Sequence, residues 1–495
     1  MKTTLPIAQG FYQSESLPLS AQRCVNFVPS VPQTSTVTDA NLFGVSGIEK
    51  AITGSEIENC RGAHVLGDTP YFVIENKLLR LNLDSSSGSD VFSVVELGDI
   101  EGASRVFMAD NGTQLCITAP PDLSTNGKSY IFTESPDTLT EITDSNFDGA
   151  ASSVIYIDGY FVFHKSDGKK FFNSPLNEGL TGYDPLDFNV AEADPDQIRG
   201  LGRISNQLYV FGSETTQIFR NIGRAPSPFA PIAGAVLDVG AVSPQSIVRY
   251  ASGLAFVGGG TNQEPSVWLI SGTQKQRLST KAIDNELSKV VNPETIYSWV
   301  YSEGGADFLG ISTTDTCFVY DIINGRWHER RSYVNGKESA YRVSHMVTAY
   351  DRVLVGDTVS GNIGFISENS YTEYGNLVRR VVTSRPFDNL GNYSRVISIE
   401  AVIESGVGLA NDIKLTTDSG VQSIGGSDPQ ITLYWSDDGG RKFVGGISKS
   451  MGKTGEFDKR PIWYRLGSFS RQRVLKFEVS SPTKAVIIKV EADIG

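Results

Sequence analysis

What this sequence lacks narrows its chemistry before anything else does. Only four cysteines (Cys24, Cys60, Cys116 and Cys317) occur in 495 residues, scattered and without CxxC spacing. They read as reduced thiols of a protein made in a cytosol, not as a disulfide framework. The four histidines (His64, His164, His328 and His345) lie far apart, with no HxH or HExxH pattern. No zinc site is written locally, and no metal or cofactor is expected. No apolar run reaches the roughly 18 residues of a membrane span. The opening MKTTLPIAQGFYQ lacks the apolar core of a secretory leader, so a soluble, non-exported protein is expected. Positive charge is short too: 43 Lys and Arg against 56 Asp and Glu leave a net charge of −13. Gripping phosphates takes clustered Lys and Arg, which disfavours a DNA-gripping protein. An acidic wall along which a duplex slides remains compatible with this charge.

What is present points to an all-β chain. The 50 glycines recur with Asp, Asn, Ser and Thr between short apolar runs, which is the composition of many turns. The clearest unit is Tyr160 to Phe172 (YFVFHKSDGKKFF), two short strands around a Ser166-Asp167-Gly168 turn. Leu208 to Phe219 (LYVFGSETTQIF) echoes it about one blade-length later. Further strand pairs are Tyr71–Ile74 with Leu78–Leu81, Leu115–Ile117 with Tyr130–Phe132, and Leu254–Val257 with Val267–Ile270. Two more follow, Phe308–Ile311 with Cys317–Tyr320 and Val353–Val355 with Ile363–Ile366. First strands aligned on 71, 115, 161, 209, 255, 308 and 353 recur every 44 to 53 residues. That is the period of a β-propeller, whose blades bury their faces only against neighbours. Six or seven blades are expected, depending on whether the first and last hairpins close one shared blade. Thr280 to Val290, with Ile283 and Leu287 on one face, reads as a packing helix inserted in the longest interval.

The two ends do not share the period. Residues 1–60 carry Pro6, Pro18, Pro29 and Pro32 and read as an extended arm with brief strands, which must lie on the same chain or on a neighbour. The propeller is expected over 61–370. Beyond it, strand-like runs at 396–407, 431–435, 461–466, 474–479 and 485–490 predict a small antiparallel, sandwich-like domain over 371–495.

Candidate catalytic patterns are sparse. Ser448 to Thr454 (SKSMGKT) ends like a phosphate loop, but the spacing from Gly446 or Gly445 is wrong and no helix former follows. Gly258-Gly259-Gly260 lacks a GxGxxG pattern and reads as a blade turn. No GxSxG elbow occurs. Ser436, Asp438, Gly440 and Phe443 match the S-x-D-x-G-x-x-aromatic spacing of the Asp-box turn of sialidase-like propellers. Side chains bonding to turn amides explain it as a structural lock. No catalytic residue is expected.

Both ends resemble a known family. The stretch FYQSESLPLSAQRCVNFVPS with a following NLFGVSGIEK, and the terminal ISKSMGKTGEFDKRPIWYRLGSFSRQRVLKFEVSSPTKAVI, are similar to the packaged-DNA stabilisation, or tail hub (nozzle), proteins of short-tailed bacteriophages. The resemblance implies a non-enzymatic virion protein, assembled in the host cytoplasm, that forms a ring, expected to be hexameric, below the portal and its adaptor. It implies that this ring continues the DNA channel, retains the packaged genome, and carries tailspikes or fibres and a needle or plug. It also implies that the arm and the C-terminal domain form the ring-facing platform, with Arg23, Asn26, Arg460 and Trp463 as interface candidates. The other reading is a carbohydrate-binding or sialidase-like propeller, suggested by the Asp-box spacing and the aromatic content.

Overall fold

The computed structural model describes residues 2–495 except 87, 124, 150, 166–167, 192–195, 335, 389–390 and 418–419. The chain forms two compact units: Lys50–Thr314 with Arg342–Phe365, and Met1–Glu49 with Asp315–Tyr341 and Ile366–Gly495.

The larger unit is the propeller. Its first blade is Cys60–Leu66, Thr69–Ile74, Lys77–Asp84 and Val91–Asp99, hydrogen-bonded in that order. The next three four-stranded sheets begin at Phe107, Ala151 and Ile198, and the fifth is built around Gly253–Gly259. The second strand of a blade lies between two neighbouring blades, so both its faces are apolar and it shows no polar alternation. In Thr69–Ile74, Tyr71 and Val73 pack with Leu115, Ile117 and Phe132 of the second blade. Phe72 and Ile74 turn the other way, against Leu354 and Ile363 of the last. The hairpin at Tyr160 repeats this: Phe161 and Phe163 face Cys116 and Ile131, while Val162 faces Leu208 and Val210. His164 pairs with Phe171 across that hairpin, whose Ser166 and Asp167 lie outside the described residues.

The Phe72–Leu354 cluster closes the ring, so the first and last hairpins belong to different blades. The closing sheet runs Val343–Ala349, Arg352–Asp357, Ile363–Ser367 and then Gly47–Ile52, a strand that enters the larger unit at Lys50. Beyond it, the amide of Gly361 donates to the Ser55 carbonyl at 2.8 Å and that of Gly54 to Asn362 Oδ1 at 3.0 Å. The sixth repeat is divided, with Tyr297–Glu303 and Ala306–Ser312 in the larger unit and Cys317–Asp321 and Arg326–Glu329 in the other. Among the described residues the one α-helix is Lys281–Leu287, capped by the Thr280 hydroxyl and burying Ile283 and Leu287.

The second unit is a β-sandwich. One sheet has the order Phe27–Ser30, Asn41–Gly44, Val486–Ile494, Ser394–Ile403, Ile462–Tyr464, with Lys2–Leu5 also on Val486–Ile494. The other runs Arg326–Glu329, Ala21–Val25, Arg380–Thr383, Val474–Val479, Gln430–Ser436, Val444–Ser450. Their inner faces share one core that includes Leu5, Cys24, Phe27, Leu42, Trp463 and Phe477.

This division differs from the expected arm (1–60), propeller (61–370) and C-terminal domain (371–495). Residues 1–49 are not an arm laid on a body; they supply strands to both sheets and side chains to the core. Residues 315–341 also belong to the sandwich unit. Short strands with few apolar residues carry little signal when their partners lie hundreds of positions away.

Candidate functional site

The sandwich unit carries a cavity of about 280 Å³, lined by charged and apolar side chains alike, on the outer face of the sheet that holds Ala21–Val25. Register builds its floor. Arg23 lies opposite Thr383, Thr383 opposite Lys476, and Lys476 opposite Tyr434, so one row of side chains crosses four strands. Alternation puts these side chains on the face away from the core residues Cys24, Val382, Leu475 and Phe477. The hairpin of Arg331–Val334 and Lys337–Ala340 contributes Glu338 to the lining, and the loop after Gln430–Ser436 contributes Gly440, Arg441 and Phe443.

Ion pairs fix most of the charges there. Glu329 takes both bonds of a forked contact from Arg23, at 2.9 and 2.6 Å, with its own side chain 2% exposed. Burial alone would lower the Arg23 pKa, but the bonds to Glu329 override it and the net shift is upward. Arg379 makes the same fork to Glu478, at 2.8 and 2.8 Å, and reaches Glu338 at 3.0 Å. Bidentate pairing of this kind fixes orientation as well as charge. Lys476 differs: its ammonium stands 4.3 Å from the Tyr434 ring centroid and 4.8 Å from that of Phe443. Burial lowers its pKa, with Arg379 and Arg23 adding to that effect against Glu478.

Two of the four interface candidates meet here. Arg23 lines the cavity. Asn26, in a left-handed conformation (φ 54°), stands behind it. Its amide donates to the carbonyls of Arg331 and Arg379, both at 2.8 Å, and its Oδ1 accepts from Arg331 N at 3.0 Å. Asn26 is therefore the clamp that holds the two cationic segments in register with the Ala21–Val25 strand. Arg460 and Trp463 lie elsewhere in the unit. Arg460 forks onto Glu400 at 2.7 and 2.8 Å, and Trp463 is buried with Nε1 donating to the Ile447 carbonyl at 2.7 Å.

The Asp-box-like turn forms one end of the cavity and satisfies itself. Ser436 Oγ donates to Asp438 Oδ1 at 2.6 Å and accepts from the Gly440 amide at 2.9 Å. The same carboxylate oxygen accepts from the amides of Arg441 and Lys442. These contacts hold Asp438 below the usual carboxylate range, the Ser436 hydroxyl first among them. Gly440 is needed for two reasons: its φ is +93°, and a Cβ would come within 2.5 Å of Ala21 Cβ. The turn thus bonds inward to its own amides and lies in the sandwich, not in a blade.

His164 is buried, with Nδ1 2.7 Å from Ser153 Oγ, and burial with the Arg199 charge holds its pKa down at about 3. The paired His64 and Asp110 (2.7 Å) come from neighbouring blades. Among the described residues no group of three or more His, Cys, Asp or Glu side chains is placed to hold a metal ion. The Gly452-Lys453-Thr454 triplet follows the strand Val444–Ser450 and opens no helix. All four cysteines are free and buried, and burial pushes the Cys60 thiol up to about 12.

Two family models cover this architecture in order. Residues 3–371 match the β-propeller of bacteriophage P22 Gp10, and residues 399–495 match its β-sandwich. The chain belongs to the P22 Gp10 tail hub family. The tail hub protein gp10 of Salmonella phage P22 is 22% identical over 419 residues, covering 79% of this chain and 80% of that protein. The family accounts for both units: a phage tail hub structural protein, all-β, with a propeller and a sandwich. Among solved structures, the designed Ika8 protein aligns with 70% of this chain and all of its own, at 14% identity and a TM-score of 0.36. An exo-β-1,3-galactanase from Phanerochaete chrysosporium aligns with 78% of this chain and 95% of its own, at 10% identity and a TM-score of 0.29. At those scores neither bears on function. No helix among the described residues is long and apolar enough to cross a membrane.

Proposed function

We propose that this protein is the hub, or nozzle, of a short-tailed phage tail, a homo-oligomeric ring of six copies below the portal and its adaptor. The ring extends the DNA channel, retains the packaged genome, and anchors tailspikes or fibres and a needle or plug. It acts without catalysis and without a cofactor, is made in the host cytoplasm, and associates stably with no membrane. The observation that carries this reading is the ordered match of both family models, over residues 3–371 and 399–495. The net charge of −13 supports a passage that double-stranded DNA crosses without sequence-specific binding. The sandwich unit, which joins both ends of the chain, serves as the ring-facing platform; Arg23 at its outer face and Asn26 behind it support that role. Native mass measurement and negative-stain imaging of the purified chain with its adaptor test the reading. A six-fold ring bound to the adaptor is expected. A persistent monomer without affinity for the adaptor overturns it.

A further inference from the structure

The cavity on the sandwich has an unbalanced interior. Arg23 and Arg379 each give a fork to a carboxylate, and Arg331 Nε lies 3.3 Å from Glu329. Lys476 has no carboxylate paired with it among the described residues. Glu478, which acts on it through space, gives both oxygens to Arg379. The ammonium is instead bracketed by the π faces of Tyr434 and Phe443, beside the exposed Arg441. Aromatic faces orient a cation but leave its N–H donors unfilled. The Asp-box-like turn rigidifies this end of the cavity, so the socket exists before anything enters it. About 280 Å³ admits one or two side chains and excludes a duplex backbone or a folded domain.

We propose that this socket receives a carboxylate side chain from a second copy of the chain, so that Lys476, with Arg441, is an inter-subunit contact of the ring. The choice of occupant rests on the ring reading above and on charge. The chain is acidic overall, at −13, so a neighbouring copy presents mainly carboxylates to a cationic recess. Such a contact sets register between subunits, because one charge enters one rigid socket.

The test uses the full chain, assembled from a mixture of ¹⁴N- and ¹⁵N-labelled protein and treated with a carbodiimide, which joins a lysine only to a touching carboxylate. Lys476 is expected in amide links between a light and a heavy chain. Lys476→Gln should weaken self-association at least tenfold and reduce its salt dependence, while Lys281→Gln on the propeller helix leaves both unchanged. Lys476 unlinked, linked only within one chain, or linked only to a different tail protein overturns the proposal, as does a chain that stays monomeric at every concentration. Should Lys476→Gln fail to fold, the wild-type cross-link decides alone. Tail hub membership is read separately, by recovery of the protein in purified tails, so the socket can fail while the hub assignment stands.

Discussion

At the scale of single residues, burial of ionisable groups sets a measurable pH dependence. His164 in the native propeller takes up a proton only near pH 3, whereas in the unfolded chain it does so near pH 6.5. The unfolded state therefore binds more protons between these values. The stability contributed by the neutral ring is complete above about pH 6.5 and declines as pH falls, by about 1.4 kcal/mol per pH unit. His328 in the sandwich, also held at about 3 by burial and Arg330, adds a second proton of the same sign. In urea unfolding followed from pH 7 to pH 5, His164→Gln should flatten the pH slope by one proton's worth; an unchanged slope would show that the ring is solvated. Trp463 and Arg460 separate by the same logic. Trp463 is 1% exposed, and Trp463→Ala should cost about 3–5 kcal/mol in chemical denaturation. Arg460 lies at the surface and forks onto Glu400, and Arg460→Ala should cost only the small stability of an exposed ion pair, far less than Trp463→Ala.

At the scale of elements, propeller closure depends on the segment that follows the N-terminal strands. A Cβ on Gly54 would meet the backbone of Gly361 at 2.2 Å, with no flexible side chain to move aside. Gly54→Ala should therefore destabilise the larger unit by about 1–3 kcal/mol, the range for forced backbone displacement in a packed site. Denaturant midpoints that match wild type would refute that. Removing residues 1–40, which would be a clean deletion if they formed an arm, takes Leu5, Ile7, Cys24 and Phe27 out of the sandwich core. Loss of adaptor attachment after such a cut would report on folding before it reported on an interface. The middle strands of the blades were legible because burial on both faces leaves an unbroken apolar run. The outer ones were not: Gln274–Arg277 is exposed at every position and has neither period nor composition to mark it.

At the scale of the whole molecule, charge decides behaviour toward nucleic acid. With −13 overall, the free protein should give no electrophoretic shift of random duplex DNA at physiological salt up to about 10 µM, since non-specific affinity comes from neutralised phosphates. A shift at lower concentration would point to a basic surface that the total conceals. The propeller and sandwich contribute differently. The first is a ring of blades, each covering its neighbours. The second joins strands from three separate stretches of chain into two sheets over one core.

The all-β class, the blade-length period of the hairpins, a packing helix within Thr280–Val290 and the self-bonded turn at Ser436 were legible in the chain, because each is written in residues close together; that the first and last hairpins are separate blades was not. Tertiary structure alone decided that Gly47–Ile52 continues the last blade, that residues 1–49 belong to the sandwich, and that Arg23, Glu338, Gly440 and Lys476 line one cavity. The reason is physical. Those partners lie tens to hundreds of residues apart, and the hydrogen bonds and forks that join them arise only once both sheets have formed.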